Sequence, residues 1–329
     1  MLLNIVCLIG GLILILGGAN FLTDGASALA KRWGVSDLVI GLTVVAFGTS
    51  APELCISVVS SLQGNAGIAV GNVVGSNIFN ILVIIGIVAM CHPIKVEKSL
   101  LSNDIPMVVL SSVALLAMGC APLLGEAGNP VIGRSDGILM LLFFMIFLHY
   151  TFSSARRSAM KAAKPDLHEE NAGEEIKKMP LWKSLLWIAG GLAGLIYGGD
   201  IFVDGASGLA RAFGVSDTVI GLTIVAVGTS LPELATSVAA ARKGKTGIAV
   251  GNVIGSCLFN VFLVLGTAAV IRPLPFGNIG AVDLLTLTGA SVLFLIFGQF
   301  YKLRTITRPE GALLTLCYIG YMAWLLATA

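Results

Sequence analysis

The sequence predicts an all-α polytopic membrane protein in which ten transmembrane helices form two inverted five-helix repeats. Three observations carry this prediction: a composition too apolar for water, ten apolar stretches of spanning length, and an internal repeat at a constant offset of 180 residues.

Hydrophobic residues make up 56% of the 329 positions and charged residues 12%, against about 45–50% and about 25% in soluble domains. The mean hydropathy is +0.94. A globule in water cannot enclose that much apolar surface, so a lipid bilayer is the expected surrounding. A formal net charge of +2 offers nothing for nucleic acid to bind. Glycines stand in pairs inside apolar runs, at Gly10–Gly11, Gly17–Gly18, Gly190–Gly191 and Gly198–Gly199, where small residues let helix backbones approach closely. The six cysteines form no CxxC pair and have no histidine at ligand spacing, so they read as small packing residues. No Lys or Arg precedes Lys31, so the first apolar stretch lacks the basic start of a cleaved leader and is expected to be a retained spanning helix.

The apolar stretches lie near 2–30, 36–62, 67–90, 101–121 and 135–152, and again near 184–210, 216–241, 247–270, 281–300 and 311–328. Between the two sets, 153–183 is polar. It carries seven Lys and Arg beside Glu169, Glu170, Glu174 and Glu175, without the spacing of an EF-hand loop. It reads as a solvated linker between a first repeat, 1–152, and a second, 184–329. Assigning the basic residues to alternate loops puts 17 on the linker side and only Arg134, Arg211 and Arg272 opposite. The positive-inside rule then expects a cytoplasmic linker and both termini outside, in a bacterial or archaeal plasma membrane.

The repeat is the strongest feature. GVSDLVIGLTVVAFGTSAPE at 34–53 matches GVSDTVIGLTIVAVGTSLPE at 214–233 in 16 of 20 positions, and GIAVGNVVGSNIFN at 67–80 matches GIAVGNVIGSCLFN at 247–260. A unit with an odd number of spans must enter the membrane in opposite directions in its two copies, which is the plan of secondary transporters with a site near the bilayer midplane.

The polar residues concentrate in these segments. Ala46, Thr49, Ser50 and Glu53 stand at i, i+3, i+4 and i+7, on one helix face, as do Ala226, Thr229, Ser230 and Glu233. Ser76 and Asn80 form a second polar face, repeated as Ser256 and Asn260. An ionised carboxylate at a helix centre costs about 2.5–3.5 kcal/mol on insertion scales. No Lys or Arg lies in these segments to offset it, which points to a bound cation. Pro52 and Pro232 cannot donate to the carbonyls of Gly48 and Gly228, one turn earlier. Carbonyl, hydroxyl and carboxylate oxygens are the hard ligands that calcium and sodium prefer.

GTSAPE with GNVVGSNIFN, and GTSLPE with GNVIGSCLFN, resemble the α-repeats of the calcium/cation antiporter superfamily, in particular the prokaryotic sodium/calcium exchangers; the motifs fall within 41–80 and 221–260. The resemblance implies a Ca2+/Na+ antiporter of the sodium/calcium exchanger fold rather than an enzyme, with Ca2+ and Na+ as transported ions and no cofactor. It implies calcium at Glu53 and Glu233 with Thr49 and Thr229. It further implies sodium at positions built from Ala46, Ser50 and Ser76 and from Ala226, Ser230 and Ser256, with Asn80 and Asn260 completing the centre. Some exchangers, including the potassium-dependent ones, carry aspartate at the position of Asn260, so potassium transport is not expected. One Ca2+ or two Na+ neutralises two glutamates and a third Na+ leaves +1, so a three-to-one exchange comes from the resemblance and not from the residues. Cys257 replaces Asn77 of the first repeat, next to one expected sodium position, and reads as a packing substitution.

Asp24 and Asp204, in matched DGAS segments, are expected at helix ends or gates rather than on the ion. Ser36 with Asp37, and Ser216 with Asp217, are expected to cap helices. Alternating access is expected to move the first and sixth helices against the rest, with Gly17, Gly18, Gly198 and Gly199 as the close contacts. A proton-coupled divalent-cation antiporter of the same fold is the nearest rival, although such relatives show GNxxE where this chain has GTSxPE. A channel and an intramembrane hydrolase are more distant ones. The sequence implies no particular oligomer, and a monomer is compatible with it.

Overall fold

Inside hydrocarbon, backbone N–H and C=O groups find partners only within their own segment, so the apolar runs form helices. The computed structural model describes residues 1–64, 66–121, 129–162, 179–213, 226–300 and 304–328, and the description below concerns these. The first half contains α1 (Leu2–Trp33), α2 (Asp37–Thr49), α3 (Ala51–Gln63), α4 (Gly67–Cys91), α5 (Leu100–Gly119) and α6 (Arg134–Ala162). The second half contains α7 (Leu181–Ala212), a helical turn at Ala226–Gly228, α8 (Leu231–Arg242), α9 (Thr246–Ile271), α10 (Ala281–Phe300) and α11 (Arg308–Thr328). Among the described residues, eight helices are long and apolar enough to cross a membrane, and nine if α2 and α3 count as one bent span. Residues 216–225 of the expected seventh span, with the caps expected at Ser216 and Asp217, lie outside the described residues. So do 163–178 of the linker, including its four glutamates.

Two boundaries differ from expectation. The stretch 36–62 is not one helix: it breaks at Ser50 and bends by 45° between α2 and α3. The fifth helix continues past 152 to Ala162, because neither Gly nor Pro interrupts 138–164. Short π-helical turns, which sequence patterning does not reveal, occur at Gly41–Val45, Asn80–Ile84, Leu100–Asp104 and Phe259–Leu265. Asn80 and Asn260 sit at matched positions in two of them, and such turns gather at functional sites.

The helices α4 and α9 are buried on nearly every face, whereas α1, α6, α7 and α11 expose large apolar side chains such as Leu3, Ile13, Phe143, Leu186, Leu316 and Ile319. An apolar exterior of this extent is a lipid-facing surface. Two short antiparallel clips link the halves across their ends. Ile94–Lys95 (β1) pairs with Thr305–Ile306 (β4), and Val131–Ile132 (β2) pairs with Leu274–Pro275 (β3). The Ser36 hydroxyl accepts from the Val39 N–H at 3.3 Å, as expected of a cap. Asp136, Asp283 and Glu310 cap α6, α10 and α11, each accepting a backbone N–H three residues upstream at 2.8 Å.

The pair α1–α7 is antiparallel and packs chiefly on itself. Its contacts recur every seven residues: Gly11 faces Gly198, Gly18 faces Gly191, Gly25 faces Ser184, and Gly205 faces Asn4. A methyl group at Gly18 would meet the Gly191 carbonyl oxygen at 2.7 Å, while one at Gly17 would meet nothing within 4 Å. Of the four glycines expected at this contact, Gly18 and Gly198 make it, and Gly17 and Gly199 stand outside it. Only Cys257 among the six cysteines is buried; Cys55, Cys91 and Cys317 lie at the surface rather than in packing.

Gly18→Ala is expected to cost about 1–3 kcal/mol by overpacking and to lower the melting midpoint of the detergent-solubilised protein. Gly17→Ala should leave it unchanged or raised, since alanine favours a helix over glycine by about 0.8–1.0 kcal/mol. Equal midpoints for the two variants would contradict the heptad contact.

Candidate cation site

Both repeated GTSxPE segments break their helix in the same way. Ser50 (φ −85°, ψ 6°) and Ser230 (φ −92°, ψ 6°) end one helical segment, and a new helix starts at the next residue with Pro52 or Pro232 in its first turn. A proline there gives up only an N–H that would have no intrahelical acceptor. Glu53 and Glu233 therefore stand in the first turns of α3 and α8, and both are fully buried. The unpaired N–H groups and positive dipole end of a helix favour negative charge at this position.

Contacts between the halves assemble the site. The Ser50 hydroxyl donates to Glu233 Oε1 at 3.0 Å, and the Ser256 hydroxyl lies 3.4 Å from the same oxygen. Thr49 Oγ1 is 3.0 Å from Asn252 Oδ1 and 3.1 Å from the Val45 carbonyl oxygen. Asn260 Nδ2 donates to Asn77 Oδ1 at 3.1 Å, and Asn77 Nδ2 donates to the Cys257 carbonyl at 3.1 Å. The structure thus joins Thr49, Ser50, Glu233 and Ser256 in one network through Asn252, and Asn260 with Asn77 in a second one. Ser76, Asn80 and Ser230 are buried beside it. Ala46 is buried against Gly255, where a larger side chain would not fit. Thr229 is half-buried and lines two crevices, one shared with Pro52 and Pro232 and the other with Asn72 and Ser76. Ala226 lies on its helical turn, with its side chain outside the described atoms.

Among the described residues, 11 buried side-chain polar atoms lack a hydrogen-bond partner. Eight of them belong to the expected site: both carboxylate oxygens of Glu53, Oε2 of Glu233, both amide atoms of Asn80, Oδ1 of Asn260, and the hydroxyls of Ser76 and Ser230. Orphaned buried polar atoms cost about 1–3 kcal/mol each and are few in folded proteins, so their concentration at one place marks a ligand site. No group of three or more His, Cys, Asp or Glu suited to a metal occurs among the described residues. The donor set is oxygen-rich, with two carboxylates, hydroxyls and amides, which suits hard cations.

Asn72 and Asn252 belong to the surroundings of the site and were not expected there. Asn72 Nδ2 reaches the Glu53 carbonyl oxygen at 3.3 Å and Ser57 Oγ at 3.2 Å; Asn252 Nδ2 reaches the Glu233 carbonyl oxygen at 3.4 Å and Ser237 Oγ at 3.0 Å. Each asparagine ties the first turn of a broken helix to its neighbour. Their signal was present in the sequence, since both pairs repeat at the offset of 180. Asn77 carried no such signal, because its counterpart is Cys257.

Comparison with known proteins gives the family. The family model described as sodium/calcium exchanger protein matches residues 3–153 and 183–327. The chain is 36% identical to the inner membrane protein YrbG of Escherichia coli, over 99% of this chain and 96% of that protein. It is 33% identical to the sodium/calcium exchanger MaX1 of Methanosarcina acetivorans, over 97% of each. A solved structure of the sodium-calcium exchanger NCX_Mj, soaked with 2.5 mM Na+ and 0.1 mM Ca2+, matches with a TM-score of 0.81 at 32% identity over 98% of both chains. With a lipid-facing exterior, a buried oxygen-rich site built by both halves, and relatives that are transporters rather than enzymes, the chain belongs to the sodium/calcium exchanger family and is a multi-pass membrane cation antiporter.

Proposed function

We propose that this antiporter exchanges Ca2+ for Na+ by alternating access at one midplane site, with Glu53 and Glu233 as its charged ligands. The observation that carries the reading is the set of eight orphaned polar atoms, three of them oxygens of the two fully buried carboxylates and five from Ser76, Asn80, Ser230 and Asn260. Calcium takes six to eight oxygen ligands, and the two glutamates with Thr49, Thr229 and nearby carbonyls provide a set of that kind. Sodium, with half the charge, occupies the flanking positions formed by Ala46, Ser50 and Ser76 and by Ala226, Ser230 and Ser256. Asn80 and Asn260 complete the centre without adding charge. Both ions draw on the same carboxylates, so sodium moving down its gradient displaces calcium.

The proposed architecture is ten helices in two inverted repeats, 1–152 and 184–329, joined by a cytoplasmic linker at 153–183. Counting α2 with α3 as one span, and the apolar stretch expected near 216–241 as another, gives five and five. The antiparallel α1–α7 pair and the two clips between halves support the inversion. The side distribution of Lys and Arg supports the orientation, with both termini outside.

In proteoliposomes loaded with sodium, uptake of Ca-45 should follow an outward Na+ gradient, and Glu53→Gln or Glu233→Gln should reduce it by at least about 100-fold, as expected when a buried charge loses its role in binding. Uptake that follows a pH gradient and ignores Na+ would replace this reading with proton coupling.

A second expectation needs no transport. Calcium at 100 times its dissociation constant should stabilise the folded protein by about 2.7 kcal/mol and raise its melting midpoint in detergent. The two glutamine variants should show no such rise; a full rise in both would remove the carboxylates from the binding site.

A further inference from the structure

Asp24 and Asp204 occupy the same position in the two DGAS segments, yet their surroundings differ. Asp24 Oδ1 lies 2.9 Å from Lys243 Nζ and 3.6 Å from Lys245 Nζ, and Lys243 Nζ also donates to the Asn20 carbonyl oxygen at 3.4 Å. Both lysines belong to the turn between α8 and α9. There Gly244 adopts φ +72°, and the Lys245 N–H closes on the Ala240 carbonyl at 2.9 Å. This is the glycine cap that commonly ends helices, and here it presents a lysine on either side of the glycine to α1.

The matching turn after α3 keeps the glycine, Gly64 at φ +84°, but replaces the lysines with Gln63 and Asn65. Neither residue type can pair with an aspartate as the lysines do, and the cation at this turn is instead the Arg272 guanidinium, packed against Gly64. Among the described residues Asp204 has no hydrogen-bond or ion-pair partner. Together with Asp200 it lines a crevice of about 360 Å³ that reaches Thr229 and Pro232 of the site region. At the lysine end, the crevice between α1 and α8 has mainly apolar walls, including Leu12, Leu16, Leu234 and Val238, and none of the candidate ligands.

Two identical halves would give an exchanger whose two access states have equal energy, so any contact available in only one state sets the difference between them. We propose that Asp24, Lys243 and Lys245 form a one-sided ionic latch that holds α1 on the α8–α9 turn, keeps the site shut at the lysine end, and biases the resting protein toward access from the Asp204 end. The latch rests on the alternating-access reading, with α1 and α7 as the moving pair. Because the lysine and aspartate side chains are about a quarter to a third exposed, the bias is modest, about two- to fivefold in the ratio of the two states.

The test uses the full-length protein in vesicles, with the six native cysteines replaced by alanine and one reporter at a time: Val203→Cys in the Asp204 crevice or Ala239→Cys in the lysine-end crevice. A membrane-impermeant maleimide is added at each face and the labelling rates are measured. Asp24→Asn and Lys243→Gln should each slow labelling at position 203 and speed it at position 239, so that the ratio of the two rates falls by about two- to fivefold, while Asp24→Glu should retain the original rates. If wild-type rates respond to Na+ and Ca2+ but neither neutral variant shifts them, the ion pairs are structural only and the latch is overturned while alternating access stands. If wild-type rates at both positions ignore the ions, alternating access fails, and the latch with it.

Discussion

Burying two carboxylates without a cationic side chain is the constraint on which the rest of this structure depends. Glu53 and Glu233 are fully enclosed, and no Lys or Arg lies in the segments that carry them. Removing such charge from water is far too costly to leave uncompensated. The protein supplies partial answers: a helix N-terminus beneath each carboxylate, and hydroxyls of Ser50 and Ser256 on Glu233. On the proposed function, the remaining electrostatic demand falls to the cargo. On the proposed reading, a carrier and its ion complete one another, and an exchanger follows because the site is poorly satisfied by protein groups alone.

The broken helices follow from the same demand. A continuous helix would satisfy its own backbone and leave little for an ion or a carboxylate. Breaking α2–α3 at Ser50, and the matching segment at Ser230, brings fresh N-terminal turns to the middle of the protein. Breaks at that depth are tolerable only where protein surrounds them. The central helices α4 and α9 provide that enclosure, and Asn72 and Asn252 fasten the broken turns to them. Their hydrogen bonds hold Glu53 and Glu233 by the backbone, so the side chains stay available for ligand.

Around this core the helices divide by packing. The clips between loops and the close contacts of α4 and α9 bind the centre into a unit. The α1–α7 pair, held by glycines facing backbone, has most of its remaining surface in lipid. Smooth backbone-to-backbone contact lacks interlocking side chains, which suits a pair that moves together over a fixed core. The repeated motifs differ little between the halves, and two differences near this pair, Lys243 against Gln63 and Asp200 against Asn20, alter charge.

Much of this was legible in the chain itself. Apolar length and composition fix where helices can run, because hydrocarbon allows the backbone no other partner. The 180-residue offset marks Thr49, Ser50, Glu53, Ser76 and Asn80 with their counterparts, because a polar residue kept twice in an apolar setting has few structural excuses. The same offset would have marked Asn72 and Asn252 had backbone carbonyls been counted among the groups needing partners. Only the tertiary structure decided the rest. The bend at Ser50, the π-helical turns at Asn80 and Asn260, the reach of Asn77 to Asn260 and the choice of Gly18 over Gly17 at the α1–α7 contact depend on how helices distant in sequence meet. Local sequence determines which residues want burial or a partner, but which face meets which partner is set by the packing of all the helices at once.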